Sequence, residues 1–175
     1  MDLRFTQDAG RQVFTGSELL VKGALETEGG VHLYTGAPGV PLRGYFDALT
    51  NIASMIGELG GEASIAPGEV AAVAMINGAQ RPGHRAIAAI RSAGLAAAAE
   101  ALTHGIHAGT EIGGNSGGNS GGGGMIVCGD DPWHDVKAAP FDSRFLAEYM
   151  HLPLLEPSSP QEIKDWIGAG FALGR

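Results

Sequence analysis

One carboxylate stands where it could do chemistry. Glu69 opens the run E-V-A-A-V-A-M-I-N-G-A, whose other residues carry no charge and one polar side chain, Asn77. An acid in the first turn of a helix is stabilised by the helix dipole, so plain capping accounts for it. An acid desolvated by an apolar helix packed on most sides instead favours its neutral form or seeks a nitrogen partner. The residues alone leave both readings open. Upstream, Pro38-Gly39-Val40-Pro41 fixes φ at two of its positions and predicts a rigid strand-to-helix corner. Downstream, the apolar segment Ala86–Ile90 runs into Arg91-Ser92-Ala93-Gly94, read as a small-residue turn. An acid at the mouth of a buried helix, followed by such a strand and turn, suits a ring nitrogen.

Other candidates are weaker. Asp130-Asp131-Pro132 follows an apolar strand, where either aspartate could cap the next segment or meet a metal or a substrate. The six histidines (His32, His84, His104, His107, His134 and His151) form no H-x-x-x-H pattern and no cluster with cysteine. His104 and His107 are i, i+3 neighbours with no third ligand in sight, so no metal site is expected. Cys128, the sole cysteine, lies inside M-I-V-C and reads as a small buried hydrophobe.

Helix and strand patterns alternate around these positions. Helices are predicted from a Ser17 cap to about Glu28, over Leu42–Leu59, from Glu69 to the Gly78-Ala79 pair, over Ala93–Leu102, Asp142–Met150 and Pro160–Leu173. Strands are predicted at Val31–Thr35, Glu62–Ala66, Ala86–Ile90, Met125–Cys128 and Leu152–Leu155. Such alternation implies βαβ units: an α/β fold in three layers, with a doubly wound, mostly parallel sheet. Ligands of such sheets bind at the carboxyl ends of the strands. That rim collects the turns after Thr35, around Glu69, after Ile90 and after Cys128. The segment Gly113–Gly124, built on N-S-G-G repeats, cannot pack a core and reads as a flexible surface loop in an otherwise single domain, 1–175.

Composition narrows the function classes. At 175 residues and 44% apolar composition, the chain can bury a core. A net charge of −8 with scattered Lys and Arg argues against a nucleic-acid surface. No apolar run approaches the ~20 residues of a membrane helix, and the opening M-D-L-R-F-T-Q-D lacks a signal-peptide core, so a cytoplasmic location is expected. The chain stops at F-A-L-G-R, where an α/β pattern would deliver another strand; a partner or a further segment is expected to complete it.

The ordered motifs G-S-E-L-L-V-K-G-A-L-E (16–26), T-G-A-P-G-V-P (35–41), G-E-V-A-A-V-A-M-I-N-G-A (68–79), I-R-S-A-G-L (90–95), V-C-G-D-D-P (127–132), D-S-R (142–144) and L-P-L-L-E-P-S-S-P-Q-E (152–162) cover nearly the whole chain. In that order they resemble the pyrimidine-binding domain of the 2-oxoacid:ferredoxin (acceptor) oxidoreductase α subunits, most closely the indolepyruvate and 2-oxoglutarate branches. The resemblance implies a thiamine-diphosphate-binding fold, with the aminopyrimidine held here and the diphosphate held through Mg2+ on another domain. It places Glu69 on the family's pyrimidine glutamate. A carboxyl bonded to the ring N1′ favours the imino tautomer, whose 4′ nitrogen deprotonates the thiazolium C2; the 2-oxoacid then loses CO2, electrons pass to an iron–sulfur acceptor, and CoA takes the acyl group. The resemblance also implies that Pro38, Gly39, Val40, Arg91, Ser92 and Gly94 line the cofactor, and that Val40, Arg43 and Asp131 face the substrate.

The chain departs from the pattern in places. Relatives often carry P-x-T-P where this chain has Pro38-Gly39-Val40-Pro41, exchanging a hydroxyl for an isopropyl group. The polar run usual after D-D-P is W-H-D-V-K-A-A-P. With one cysteine and no G-D-G…N motif, the chain needs partners for the diphosphate/Mg2+ site and the iron–sulfur clusters. The alternative is a non-catalytic structural or assembly subunit of the same complex.

Overall fold

A computed structural model describes residues 2–108, 121–130 and 141–173. The first helix, α1 (Gly16–Glu26), begins at a capping box: Thr15 accepts from the Glu18 amide, and the Glu18 side chain accepts from the Thr15 amide. The expected Ser17 cap is therefore displaced, because only Thr15 has an acid three residues ahead. Next come β1 (Leu33–Gly36), α2 (Arg43–Asn51), α3 (Ala53–Glu58) and β2 (Glu62–Ala63). The helix predicted as Leu42–Leu59 breaks at Ile52 (φ −119°, ψ 16°), and the kink keeps Ile52, Met55 and Ile56 all buried.

The chain continues through α4 (Glu69–Gln80), β3 (Arg85–Arg91), α5 (Ser92–Ala97), α6 (Ala99–Ala108), β4 (Gly123–Gly129), α7 (Ser143–Tyr149) and α8 (Pro160–Leu173). The turn expected at 91–94 is instead the start of α5, and the helix expected at 93–102 is divided at the buried Ala98. Gly123 and Gly124, assigned to the flexible segment, belong to β4. Ladder bonding to β3 needs only backbone, and a Cβ on Gly124 would lie 2.3 Å from Ile76 Cγ2, so α4 packs directly on that glycine. Residues 113–120 of the segment lie outside the described residues. Leu152–Leu155 forms no strand: Pro153 has no amide to donate to a ladder, and Leu154 and Leu155 are exposed.

The four strands are parallel in the order β2-β1-β3-β4. Along β3, Ile87 and Ala89 face a core shared with α1, α2, α3 and α8, whereas Ala86, Ala88 and Ile90 face the core under α4, α5 and α6. Both faces of the sheet are covered, which makes β3 apolar almost throughout. The helix α4 buries Ala72, Val73, Ile76 and Gln80, yet Val70, Ala74 and Gly78 face outward. It is packed on one side, not on most. Asn77, its polar residue, donates to the Ala101 carbonyl at 2.7 Å and ties α4 to α6.

Candidate functional site

From β1 the chain moves outward to β2, and from β3 it moves the opposite way to β4. The carboxyl ends of β1 and β3 therefore border the point where the loops diverge, the usual crevice of a doubly wound sheet. Gly36 closes β1 there with φ +148°, and a Cβ on it would fall 2.2 Å from the Ala89 carbonyl oxygen. Only glycine permits both that conformation and that approach. The chain then turns through Pro38 and Gly39, with Val40-Pro41 in the cis form. Gly39 comes up against Arg91, where an added Cβ would lie 4.0 Å from Cδ, and Val40 is 66% exposed.

Glu69 enters this rim as the first residue of α4. Its Oε1 accepts a hydrogen bond from Arg91 Nε at 2.8 Å. Behind it sits Gly94 of α5: a Cβ there would be 2.2 Å from Glu69 Cγ and 2.7 Å from Oε1. The carboxylate thus lies in a cradle that exists because residue 94 has no side chain. Hydrogen bonding from its own backbone amide, with further help from Arg91, holds the Glu69 carboxyl below its ordinary value despite partial burial. The sequence had offered capping and a nitrogen partner as alternatives; the structure contains both, and the nitrogen belongs to Arg91. The contact with Arg91 favours the carboxylate form of Glu69.

The remaining candidates divide. Pro38, Gly39 and Val40 share the rim with Glu69, Arg91 and Gly94, and Ser92 is buried in the first turn of α5. Arg43 is exposed at the start of α2 and makes no ion pair among the described residues. Asp131 and His134 lie outside the described residues. At the end of β4, Asp130 accepts from Ser143 Oγ at 2.8 Å, and burial pushes the Cys128 thiol up to about 11. Cys128 is only half-buried, packed against the core under α4, α5 and α6, where its apolar run suggested a buried residue. Among the described residues no group of three or more His, Cys, Asp or Glu could hold a metal ion, and no helix is long and apolar enough to cross a membrane.

Two features escaped the sequence reading. His32 and His84 stack with ring centroids 4.5 Å apart, and His32 Nδ1 accepts from the Arg85 amide. A groove of about 540 Å³ opens between α1 and α3 in the opposite layer. Its Lys22 is already used, donating to the Phe5 and Gln7 carbonyls and pairing with Glu26. Neither has a local signal, since each joins residues distant in the chain.

Comparison with known proteins places these observations. No protein-family model matches the chain. It is 29% identical over 166 residues to indolepyruvate oxidoreductase subunit IorA of Archaeoglobus fulgidus, covering 94% of this chain and 25% of that protein. It is 30% identical over 176 residues to the IorA subunit of Methanothermobacter marburgensis, covering 99% and 26%. The fold matches 2-oxoglutarate:ferredoxin oxidoreductase from Magnetococcus marinus, solved with 2-oxoglutarate, coenzyme A and succinyl-CoA bound, at a TM-score of 0.68 and 19% identity over 92% of this chain and 27% of that one. The chain spans about a quarter of the length of these relatives. The resemblance read from the motifs holds: the chain is similar to the IorA subunits of indolepyruvate oxidoreductases and shares the α/β fold of the 2-oxoglutarate:ferredoxin oxidoreductase.

Proposed function

We propose that this chain is the pyrimidine-binding part of a thiamine-diphosphate-dependent 2-oxoacid:acceptor oxidoreductase. Partner chains supply the diphosphate/Mg2+ site and the iron–sulfur clusters; a 2-oxoacid is decarboxylated, CoA takes the acyl group, and ferredoxin or a similar acceptor takes the electrons. The observation that carries this reading is Glu69 itself, a carboxylate on the rim of the sheet, backed by a glycine and bordered by the Pro38–Val40 turn. The donor set fits an aminopyrimidine, because a carboxyl can share a proton with a ring nitrogen, and the Gly94 cradle leaves it room.

When bound, the cofactor would supply the electron sink for decarboxylation. Glu69 would hold a proton at the ring nitrogen, and its position at the start of a helix on a packed sheet would fix the direction of that bond. Pro38, Gly39 and Val40 would wall the ring on one side, with Ser92 and Gly94 beneath the carboxyl. Arg43 and Asp131 remain candidates for the substrate side. The exposed Val40 presents an isopropyl group where many relatives offer a hydroxyl, which points to a less polar substrate contact.

The test combines the chain with the subunit that carries the diphosphate site and measures turnover of pyruvate, 2-oxoglutarate and an aryl pyruvate. Glu69→Gln keeps the shape and loses the acid, and should lower turnover by about 10²–10⁴-fold. Equal turnover by both forms would remove Glu69 from the reaction. A complex that assembles but turns over none of the three substrates would favour the assembly-subunit reading.

A further inference from the structure

We infer that Arg91 is a restraint on Glu69: its guanidinium holds the carboxylate at Oε1 and must let go before Glu69 can give a proton to a ring nitrogen. The inference rests on the proposed pyrimidine role of Glu69 and assigns that site its internal regulator. Three observations carry it. Arg91 Nε reaches Glu69 Oε1 at 2.8 Å. The Arg91 side chain is 53% exposed, so solvent can take it up when it swings away, whereas the Glu69 side chain is only 21% exposed and backed by Gly94. The carboxylate is therefore the fixed member of the pair and the guanidinium the movable one.

The chemistry sets the two partners in opposition. A guanidinium beside a carboxylate favours the anion, and Arg91 contributes to keeping the Glu69 carboxyl below its ordinary range. A ring nitrogen that accepts a proton from Glu69 needs the acid form. While the guanidinium is in place the proton is disfavoured; once it leaves, only the backbone amide still lowers the carboxyl, and the burial that opposes it counts for more. Arg91 thus acts through Glu69 as a positioning residue, and it makes proton donation conditional on the site being filled.

The test has two readouts. Carbon-13 NMR of the full chain follows the Glu69 carboxyl through an acid titration in native protein, Arg91→Met and Arg91→Lys. The Met variant should raise its titration midpoint, and Lys, which keeps a cation, should restore most of the shift. An unmoved midpoint in Arg91→Met overturns the inference. Thiamine diphosphate binding is then measured with the diphosphate-carrying subunit present, and Arg91→Met should bind several-fold more tightly than native. If native protein binds and the Met variant binds equally or more weakly, the restraint is wrong and the pyrimidine role stands. If no form binds, including native, the pyrimidine role and the restraint fall together.

Discussion

Two arginines sit at opposite ends of one strand, six residues apart, and have opposite fates. Arg85 begins β3 and is 2% exposed. Its Nη1 donates to the Glu28 carbonyl, its guanidinium lies 5.7 Å from the Phe171 ring centroid, and its backbone amide donates to His32. Arg91 ends the same strand in the open, reaching across to a single carboxylate. The amino end of the sheet is closed by α8 and by the stacked histidines, so the charge there serves the fold. The carboxyl end lies where the chain diverges on leaving β1 and β3, so a charge there stays available to a ligand. Position in the topology, not residue type, decides which arginine is structural.

The sharpest way to break this contrast is to unload the buried end. Arg85→Met should cost about 2–4 kcal/mol in denaturant unfolding, since it orphans a carbonyl and removes a cation–π contact. Its effect on Glu69 chemistry should be confined to that loss of stability. If Arg85→Met unfolds at the native midpoint, the amino end is not the structural one.

Gly94→Ala is the converse. Alanine suits a helix better than glycine, but its Cβ would overlap the partly buried Glu69 side chain, so the melting temperature should fall, though by less than in Arg85→Met. The new Cβ, 2.2 Å from Glu69 Cγ, forces the carboxyl aside, and turnover of the assembled complex should fall by up to about 100-fold. Unchanged turnover would mean that the cradle has no bearing on the chemistry.

A smaller effect belongs to the histidine pair. Burial, with the nearby charges of His84 and Arg85, lowers the His32 pKa. The unfolded chain therefore binds the proton more readily, and stability should fall as the pH drops below about 6.5. His32→Gln should flatten that part of the stability profile; a profile identical to native would assign the acid sensitivity elsewhere.

Least of all is the stability held in the rim pair. Arg91→Met should cost under about 1 kcal/mol near neutrality, because the arginine is half exposed. The Glu69 pKa is lowered on folding, so this contribution is present above the unfolded value and should vanish as the pH falls through the folded one. Unfolding of both proteins across that acid range checks it. A loss as large as that of Arg85→Met would erase the distinction between the two ends.

Much of this was legible in the chain. Glu69 stood out because a charge beside ten uncharged residues needs a reason, and the Pro38–Pro41 turn because proline fixes φ wherever it occurs. Helix α8 was readable from Pro160 to Leu173, since proline marks a helix start and the apolar period follows it. Local pattern was less able to find breaks. The kinks at Ile52 and Ala98 lie within continuous apolar periods, and only contact with the layers beneath decides where a helix divides. Gly123 and Gly124 looked like loop because glycine carries no pattern, although a parallel ladder requires none.

The sequence by itself determined the alternation of helix and strand, the apolar faces and the identity of the one acid worth watching. All of these follow from spacing and side-chain chemistry within a few residues. Tertiary structure alone decided the partners. Whether Glu69 is a neutral acid or a held anion depends on Arg91 and Gly94, which reach it only because α4 and the end of β3 share one rim of the sheet. Electrostatic state is set by groups within a few ångströms, and in a parallel sheet those neighbours come from segments far apart in the chain.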